Sequence, residues 1–457
     1  MLQNRTLYGS CTRGCYDMNE HDHPWIILYY RKTGKYALNV LTGTLEQAIS
    51  NCALPVELLF ANNNTELTSL LQSDSCQRRK TVVCWSFYSP DFESVVSELG
   101  RLKETTKTGN ILHIAGGVHC SARPAQTLQA GFDFAAVGEG ETIIAEIARR
   151  LAGGQALRGI QGLHYLDGQT WVNQHKGRLI DLDDYPPCGV EHKKFGAIEI
   201  TRGCLYGCRF CQTPHFHKAR FRHRSIDNIL HYVRIMKQNH LRDYRFISPS
   251  SMSYGSEDTT VNLEAIERLL ASIRAEIGPQ RRLFYGTFPS EIRPEHITPD
   301  SLHILKKYTD NDNLIIGGQS GSEAMLRTCR RGHDVDVIVE AVTHALRFGF
   351  TPNVDFMYGM PGETQQDADA SIRLAQKLAA MGARIHNHFF MPLPGTPFQY
   401  ATPAPISRKT LQALNLLHSR GHAYGKVIPQ IELSRKLQHQ NKTPAMTEKT
   451  SNSKGSD

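Results

Sequence analysis

The sequence of 457 residues predicts an α/β chain: an N-terminal Rossmann-like, doubly wound parallel sheet followed by a partial (β/α)6 barrel. Three observations carry this reading. From Pro24 to Gly153, short apolar runs alternate with helical stretches, the order that builds a parallel sheet covered on both faces. A second series of the same rhythm starts at Ala197, after a polar, proline-bearing run at residues 181–189. Three cysteines, Cys204, Cys208 and Cys211, then stand on the loop that follows the first strand of that series.

In the first series the expected strands are 25–30, 56–61, 81–87, 111–115 and 134–137, with helices near 37–49, 65–72, 92–103 and 141–151. Residues 154–195 break the rhythm. A glycine-dotted stretch there suggests a small hairpin, and DLDDYPPCG reads as a linker. In the second series the expected strands are 197–202, 244–248, 283–288, 314–318, 353–358 and 384–391. Helices fit 227–238, 263–277, 301–308, 335–348 and 367–381. Six such units suit a barrel open on one side, with its chemistry at the carboxyl ends of the strands. The expected domains are thus 24–153 and 196–400, followed by a helical segment over 401–437 and a disordered tail over 438–457. The first 23 residues form a polar extension. Cys11 and Cys15 lie in it near His21 and His23, with no core to hold them, and are expected to bind no metal.

Composition excludes several classes. Hydrophobic residues at 40% and charged residues at 21% are ordinary for a globular protein and far from wholesale disorder. No apolar run approaches the roughly 18 residues of a membrane span. The start lacks the apolar core of a signal peptide, so a cytoplasmic chain is expected. A net charge of +8 spread over this length is mild and permits an acidic substrate or a nucleic acid without arguing for either, and no nucleic-acid partner is expected. Eleven cysteines without a secretion signal point away from a disulfide framework. Eight of them are scattered, and the remaining three are the loop cysteines.

The stretch TRGCLYGCRFCQTPHF (201–216) spaces those three as Cys-x3-Cys-x2-Cys. Three thiolates on one tight loop suit three irons of a [4Fe–4S] cube. Gly203 and Gly207 let the backbone curl around it. A fourth cysteine is missing nearby, which leaves one iron for a non-protein ligand. Structural zinc is the competing reading. It needs four ligands, and His215 or His217 could supply the fourth. Cys-x3-Cys-x2-Cys with an aromatic residue before the third cysteine, here Phe210, resembles the radical S-adenosylmethionine superfamily. The resemblance extends over about 196–400 through Gly318–Ser322 with Arg330-Arg331-Gly332, through Asp355 with Tyr358–Glu363, and through Pro392–Pro397.

The resemblance implies that Cys204, Cys208 and Cys211 hold the cluster and that S-adenosylmethionine chelates the fourth iron. Reductive cleavage then yields a 5′-deoxyadenosyl radical, with electrons from a reductase, flavodoxin or ferredoxin and a small molecule as substrate. Phe210 is expected near the adenine, and Gln319 and Ser320 near the ribose or methionyl part. The glycine-rich acidic motif expected after the second strand is replaced by Ser248-Pro249-Ser250-Ser251, so Ser248 and Ser250 are the candidates there. Asp355, Glu363 and His388 lie at or near strand ends and are candidate pocket residues. The basic run His217–Arg224 reads as a solvated loop.

The first domain lacks G-x-G-x-x-G after its first strand, which argues against NAD. Its later strand ends, Trp85–Pro90, Ala115–His119 and Val137–Glu141, lie on the carboxyl edge, where open α/β sheets take ligands. This pattern resembles the cobalamin-binding domains that precede many radical S-adenosylmethionine barrels. Gly116 and Gly117 would admit the cofactor's nucleotide tail, and Ser86 or Ser89 would donate a hydrogen bond. The Asp-x-His-x-x-Gly signature of a lower axial histidine is missing. The implied activity is cobalamin-dependent radical methyl transfer. The alternative is another radical reaction, with the first domain a scaffold or substrate-binding module. A methylthiotransferase resemblance would need three N-terminal cluster cysteines, and Cys52 and Cys84 do not sit in matching motifs.

Overall fold

A computed structural model describes residues 22–442 apart from Lys32, 107 and 108, together with the backbone of the short strand Glu448–Thr450. Cys11, Cys15 and His21 lie outside the described residues. The chain divides into two compact units, Met1–Gly196 with Pro444–Asp457, and Ala197–Thr443.

In the first unit, β1 (Trp25–Tyr29), β2 (Glu57–Ala61), β3 (Thr81–Ser86), β4 (Ile111–Gly116) and β5 (Phe134–Ala136) form a parallel sheet in the order β2-β1-β3-β4-β5. The antiparallel hairpin β6 (Leu163–Asp167) and β7 (Thr170–Asn173) extends it at β5. Side chains of successive strand residues point to opposite faces. Ile26, Leu28, Val82 and Cys84 therefore feed one core, and Trp25, Ile27, Val83 and Trp85 the other. That double burial is why these strands are apolar throughout and not alternating.

The run before the second unit is pinned to this fold. Glu46, on the helix Lys35–Cys52, accepts the backbone N–H groups of Val190, Glu191 and His192 and pairs with His192 Nδ1 at 2.9 Å. Gly43 on the same helix leaves room for this strap, because a Cβ there would stand 2.3 Å from the Cys188 carbonyl. Residues 186–192 are thus packed structure and not a free linker.

The second unit is a parallel barrel. Its first half is held by short ladders: Ile198–Glu199 with Phe246–Ile247, and Asp243–Tyr244 with Arg282–Leu283. The expected strand over 283–288 stops early. Gly286 has φ 76°, and Pro289 has no N–H to give a ladder. The second half is continuous, with Asn313–Gln319, Thr351–Tyr358 and Arg384–Phe389 in sequence. A short parallel strand, Ala423–Tyr424, adds a seventh member to the expected six.

Several helices outside the barrel start at side-chain caps. Asn262 caps Leu263–Ile277, and capping boxes open Pro299–Tyr308 and Gln365–Met381. After Arg408–Ser419 a last helix runs from Val427 to Asn441. The expected disordered tail from 438 therefore needs correction over its first residues. Leu437 is buried, and the Asn441 amide donates to the Pro392 and Gln399 carbonyls. Glu448–Thr450 pairs with β7 in the first unit.

Candidate active site

The first barrel strand delivers the cysteine loop. Gly203 has φ 87°, and a Cβ there would stand 2.0 Å from the Arg220 carbonyl, so a side chain at this position is excluded. The Arg222–His223 strand pairs antiparallel with Thr201–Arg202 and clamps the loop from outside. Part of the basic run is therefore not solvated. Arg224 is buried, donating to the Glu199 carbonyl and the Asn228 side chain.

Cys204 and Cys208 are buried, and Cys211 is partly so. Burial pushes the Cys204 thiol up to about 12 and raises that of Cys211. Such thiols ionise only against a cation. Two buried guanidinium groups lean on Cys208: Arg331 Nη1 at 3.4 Å from its sulfur and Arg293 Nη1 at 3.9 Å. Burial works against the Arg331 charge, but Cys208, Glu291 and Glu295 outweigh it.

Arg331 is seated by a bulge in Asn313–Gln319, where the register against the next strand shifts between Ile316 and Gln319. Gly317 and Gly318 make room. A Cβ on the first would meet Arg331 Nη2 at 2.9 Å, and one on the second Val354 Cγ1 at 2.9 Å. Arg331 Nη2 donates to the Gly317 carbonyl at 2.6 Å. The bulge leaves Gln319 in the left-handed region at φ 71°, facing the barrel cavity.

That cavity, about 660 Å³, is lined by Phe210, Cys211, Ser248 and Gln319 among others. Ser248 is fixed by donating Oγ–H to the Ser250 carbonyl at 2.7 Å. Ser250 and Ser320 do not line it. Ser320 is fully buried between Ser371 Oγ at 3.1 Å and the Ser322 N–H, because Gly321 brings this turn hard against the helix Gln365–Met381. Glu363 also lies elsewhere. It accepts the Gly359 N–H, and burial pushes its carboxyl up to about 7.

Asp355 and His388 do face the cavity, with His386, Glu199 and Glu291 beside them. The strand register explains His386. It pairs with Asp355, and His388 follows two residues on, on the same face. The His-x-His spacing on an expected strand was the signal that would have found it. Glu199 and Glu291 had no motif to announce them. Burial raises the Glu291 carboxyl, opposed by Arg331.

In the first unit, Gly116 and Gly117 close β4 at the carboxyl edge. A Cβ on Gly116 would meet nothing nearer than 3.6 Å. Gly117 has φ 90°, and a Cβ there would sit 2.8 Å from the Phe87 carbonyl. Its glycine is therefore demanded by the fold itself. Ser86 is buried at the same edge. Ser89 is buried too, its Oγ 3.1 Å from His119 Nδ1. His119 stacks on Phe92 at 4.2 Å, and burial pushes its pKa down to about 3. It is a neutral core histidine.

A parallel barrel with a glycine-bracketed three-cysteine loop at its first strand defines a class. Residues 198–375, in the second unit, match the radical SAM superfamily, a superfamily whose members work with a [4Fe–4S] cluster and S-adenosylmethionine. Among relatives, an uncharacterized methyltransferase of Pyrococcus horikoshii is 24% identical over 289 residues, 59% of this chain and 58% of that one. The chain thus spans little more than half of that relative. A tRNA-2-methylthio-N(6)-dimethylallyladenosine synthase of Neisseria meningitidis is 26% identical over 342 residues, 71% of this chain and 70% of that one.

Two solved structures share the fold. One is the radical S-adenosylmethionine methyltransferase TsrM of Kitasatospora setae, with cobalamin and a [4Fe–4S] cluster bound. Its TM-score is 0.63 at 16% identity, over 83% of this chain and 77% of that one. The other is the cobalamin-dependent S-adenosylmethionine radical enzyme OxsB with aqua-cobalamin and S-adenosylmethionine bound. Its TM-score is 0.61 at 15% identity, over 88% and 56% of the two chains. At these identities the likeness is one of fold.

Proposed function

We propose that this chain is a cobalamin-dependent radical S-adenosylmethionine methyltransferase acting on a small molecule. The observation that carries the reading is the fold likeness to TsrM, a methyltransferase solved with both cofactors, over 83% of this chain. Cys204, Cys208 and Cys211 would hold the cluster, and the two arginines at Cys208 fit that group. Phe210, Ser248 and Gln319 would position S-adenosylmethionine in the barrel cavity. Cobalamin would lie at the carboxyl edge of the first unit, where Gly116 leaves the backbone open beside Ser86. When bound, these groups supply a carbon radical and a transferable methyl group, with electrons from a reductase, flavodoxin or ferredoxin.

The chain's own residues do the rest. Arg331 and Arg293 offset the negative charge of the thiolate they face, which favours gaining an electron at the loop. Half-buried Ile247 and Ile315 on the strands beside the cavity, with Phe210, limit water at the site. Full-length protein reconstituted with iron, sulfide and cobalamin should retain corrin through gel filtration and release S-adenosylhomocysteine with a productive substrate. Deoxyadenosine from S-adenosylmethionine without any corrin bound would instead make the first unit a scaffold.

A further inference from the structure

The register of the second barrel half brings three metal-ligating side chains to one point of the cavity. Asp355 Oδ1 lies 2.9 Å from His386 Nδ1, which lies 3.0 Å from His388 Nε2. The third side of the triangle, His388 Nε2 to Asp355 Oδ1, is 3.9 Å. We propose that Asp355, His386 and His388 bind a divalent transition-metal cation, with its remaining coordination positions open to the barrel cavity and its substrate.

Protons serve this triangle poorly. One hydrogen on His386 Nδ1 would have to satisfy both a carboxylate oxygen and an imidazole nitrogen, each at about hydrogen-bond distance. A cation accepts a lone pair from each. Bonds of about 2.1 Å to neighbouring ligands on one face of a metal separate the donor atoms by about 3 to 3.4 Å. The three distances scatter around that range. Two imidazoles and one carboxylate select zinc, iron(II), cobalt(II) or manganese(II) over magnesium or calcium, which prefer all-oxygen sets.

The surroundings hold the ligands in place. His386 is stacked on Tyr424 at 4.3 Å and 9°. His388 Nδ1 stands 3.4 Å from the Gln430 amide nitrogen, and the Gln430 oxygen accepts the Phe389 N–H at 2.7 Å. A metal-bound His388 carries its proton on Nδ1, so binding would turn the Gln430 amide over to offer its oxygen. Cys211 and Gln319 line the same cavity. A substrate seated there would bind the metal through a carboxylate, hydroxyl or amine. This inference stands on the barrel alone and does not depend on cobalamin.

The test uses full-length protein with its iron–sulfur cluster reconstituted, equilibrated with zinc sulfate and desalted, with iron and zinc both counted. About one zinc per chain should remain beside about four irons. Zinc X-ray absorption should show a nitrogen and oxygen shell with imidazole outer scattering and no sulfur. His388→Gln and Asp355→Asn should each bind zinc at least about 100-fold more weakly, beyond the loss typical of an outer partner, with iron content unchanged. Gln430→Leu should weaken zinc by less than either. Three results would overturn the proposal: no zinc retained by the wild type, a sulfur-containing shell, or wild-type zinc in both ligand variants.

Discussion

The two parallel sheets finish their carboxyl edges in opposite ways. In the first unit the edge is rich in glycine: Gly34, Gly117 and Gly138 all have positive φ, Ser86 and Ser89 are buried, and Ser121 Oγ accepts the Gly138 N–H at 3.1 Å. In the second unit the strand ends carry Glu199, Glu291, Asp355, His386 and His388 around one cavity. A ligand at the first edge would be selected mainly by shape, because most of that edge is backbone. The second selects by charge and donor atoms. Perturbing the first should therefore act through folding and fit, and perturbing the second through chemistry.

The largest expected effect is at the cysteine loop. Replacing Cys204, Cys208 and Cys211 together by alanine should remove essentially all iron from anaerobically purified protein, and wild-type iron in that variant would break the comparison outright. Next is Arg331→Met, which leaves Glu291 and Cys208 with Arg293 as their remaining guanidinium in a dry site. Removing one partner from such a network costs roughly 3 kcal/mol or more, to be read as a lowered unfolding midpoint of the barrel. An unchanged midpoint would mean that this arginine is not holding its neighbours. Third is the glycine pair. Gly117→Ala forces a side chain into the left-handed region against Phe87 and should cost about 1–2 kcal/mol. Gly116→Ala should leave stability within about 0.5 kcal/mol, which makes Gly116→Leu the cleaner probe of corrin retention. Equal losses at both positions would show that the edge is not open at Gly116.

A smaller effect concerns Glu363, whose carboxyl is pushed up to about 7 from 4.5. The folded state then holds a proton that the unfolded state has lost between those values. Its contribution is fully present below about pH 4.5 and is lost as pH rises towards 7. Glu363→Gln should therefore gain on the wild type between pH 5 and pH 8, by on the order of 2 kcal/mol. The measurement is the difference in unfolding midpoint at the two pH values, and a constant difference would count against a buried neutral carboxyl.

The sequence made most elements legible because their apolar periods are long and their ends are marked. The helix Leu263–Ile277 begins after Asn262 and ends at Gly278, and its bounds follow from those signals alone. The strand over 283–288 was overextended because its apolar residues suggested a ladder that the turn at Gly286 and Pro289 ends. The last helix falls mostly inside the expected helical segment over 401–437 but was ended too early, because its last turns are polar and Leu437 is among its few buried residues. At the site, the cysteines were legible from spacing. Ser320 was expected in the pocket and is turned away from it, because Gly321 packs this turn on Ala370 and Ser371, far away in sequence. His386 was not named because its partner Asp355 belongs to another strand, and only their pairing brings the two together.

The left-handed Gln319 raises a question of tolerance. An unbranched, polar side chain is held in a conformation that glycine adopts freely, at a cost on the order of 1 kcal/mol. Gln319→Gly should relieve that cost and raise the unfolding midpoint slightly, while removing the amide that reaches into the cavity. The position would then be one where resilience and activity pull apart: a selection for heat tolerance alone would favour glycine, and a selection for turnover would restore glutamine.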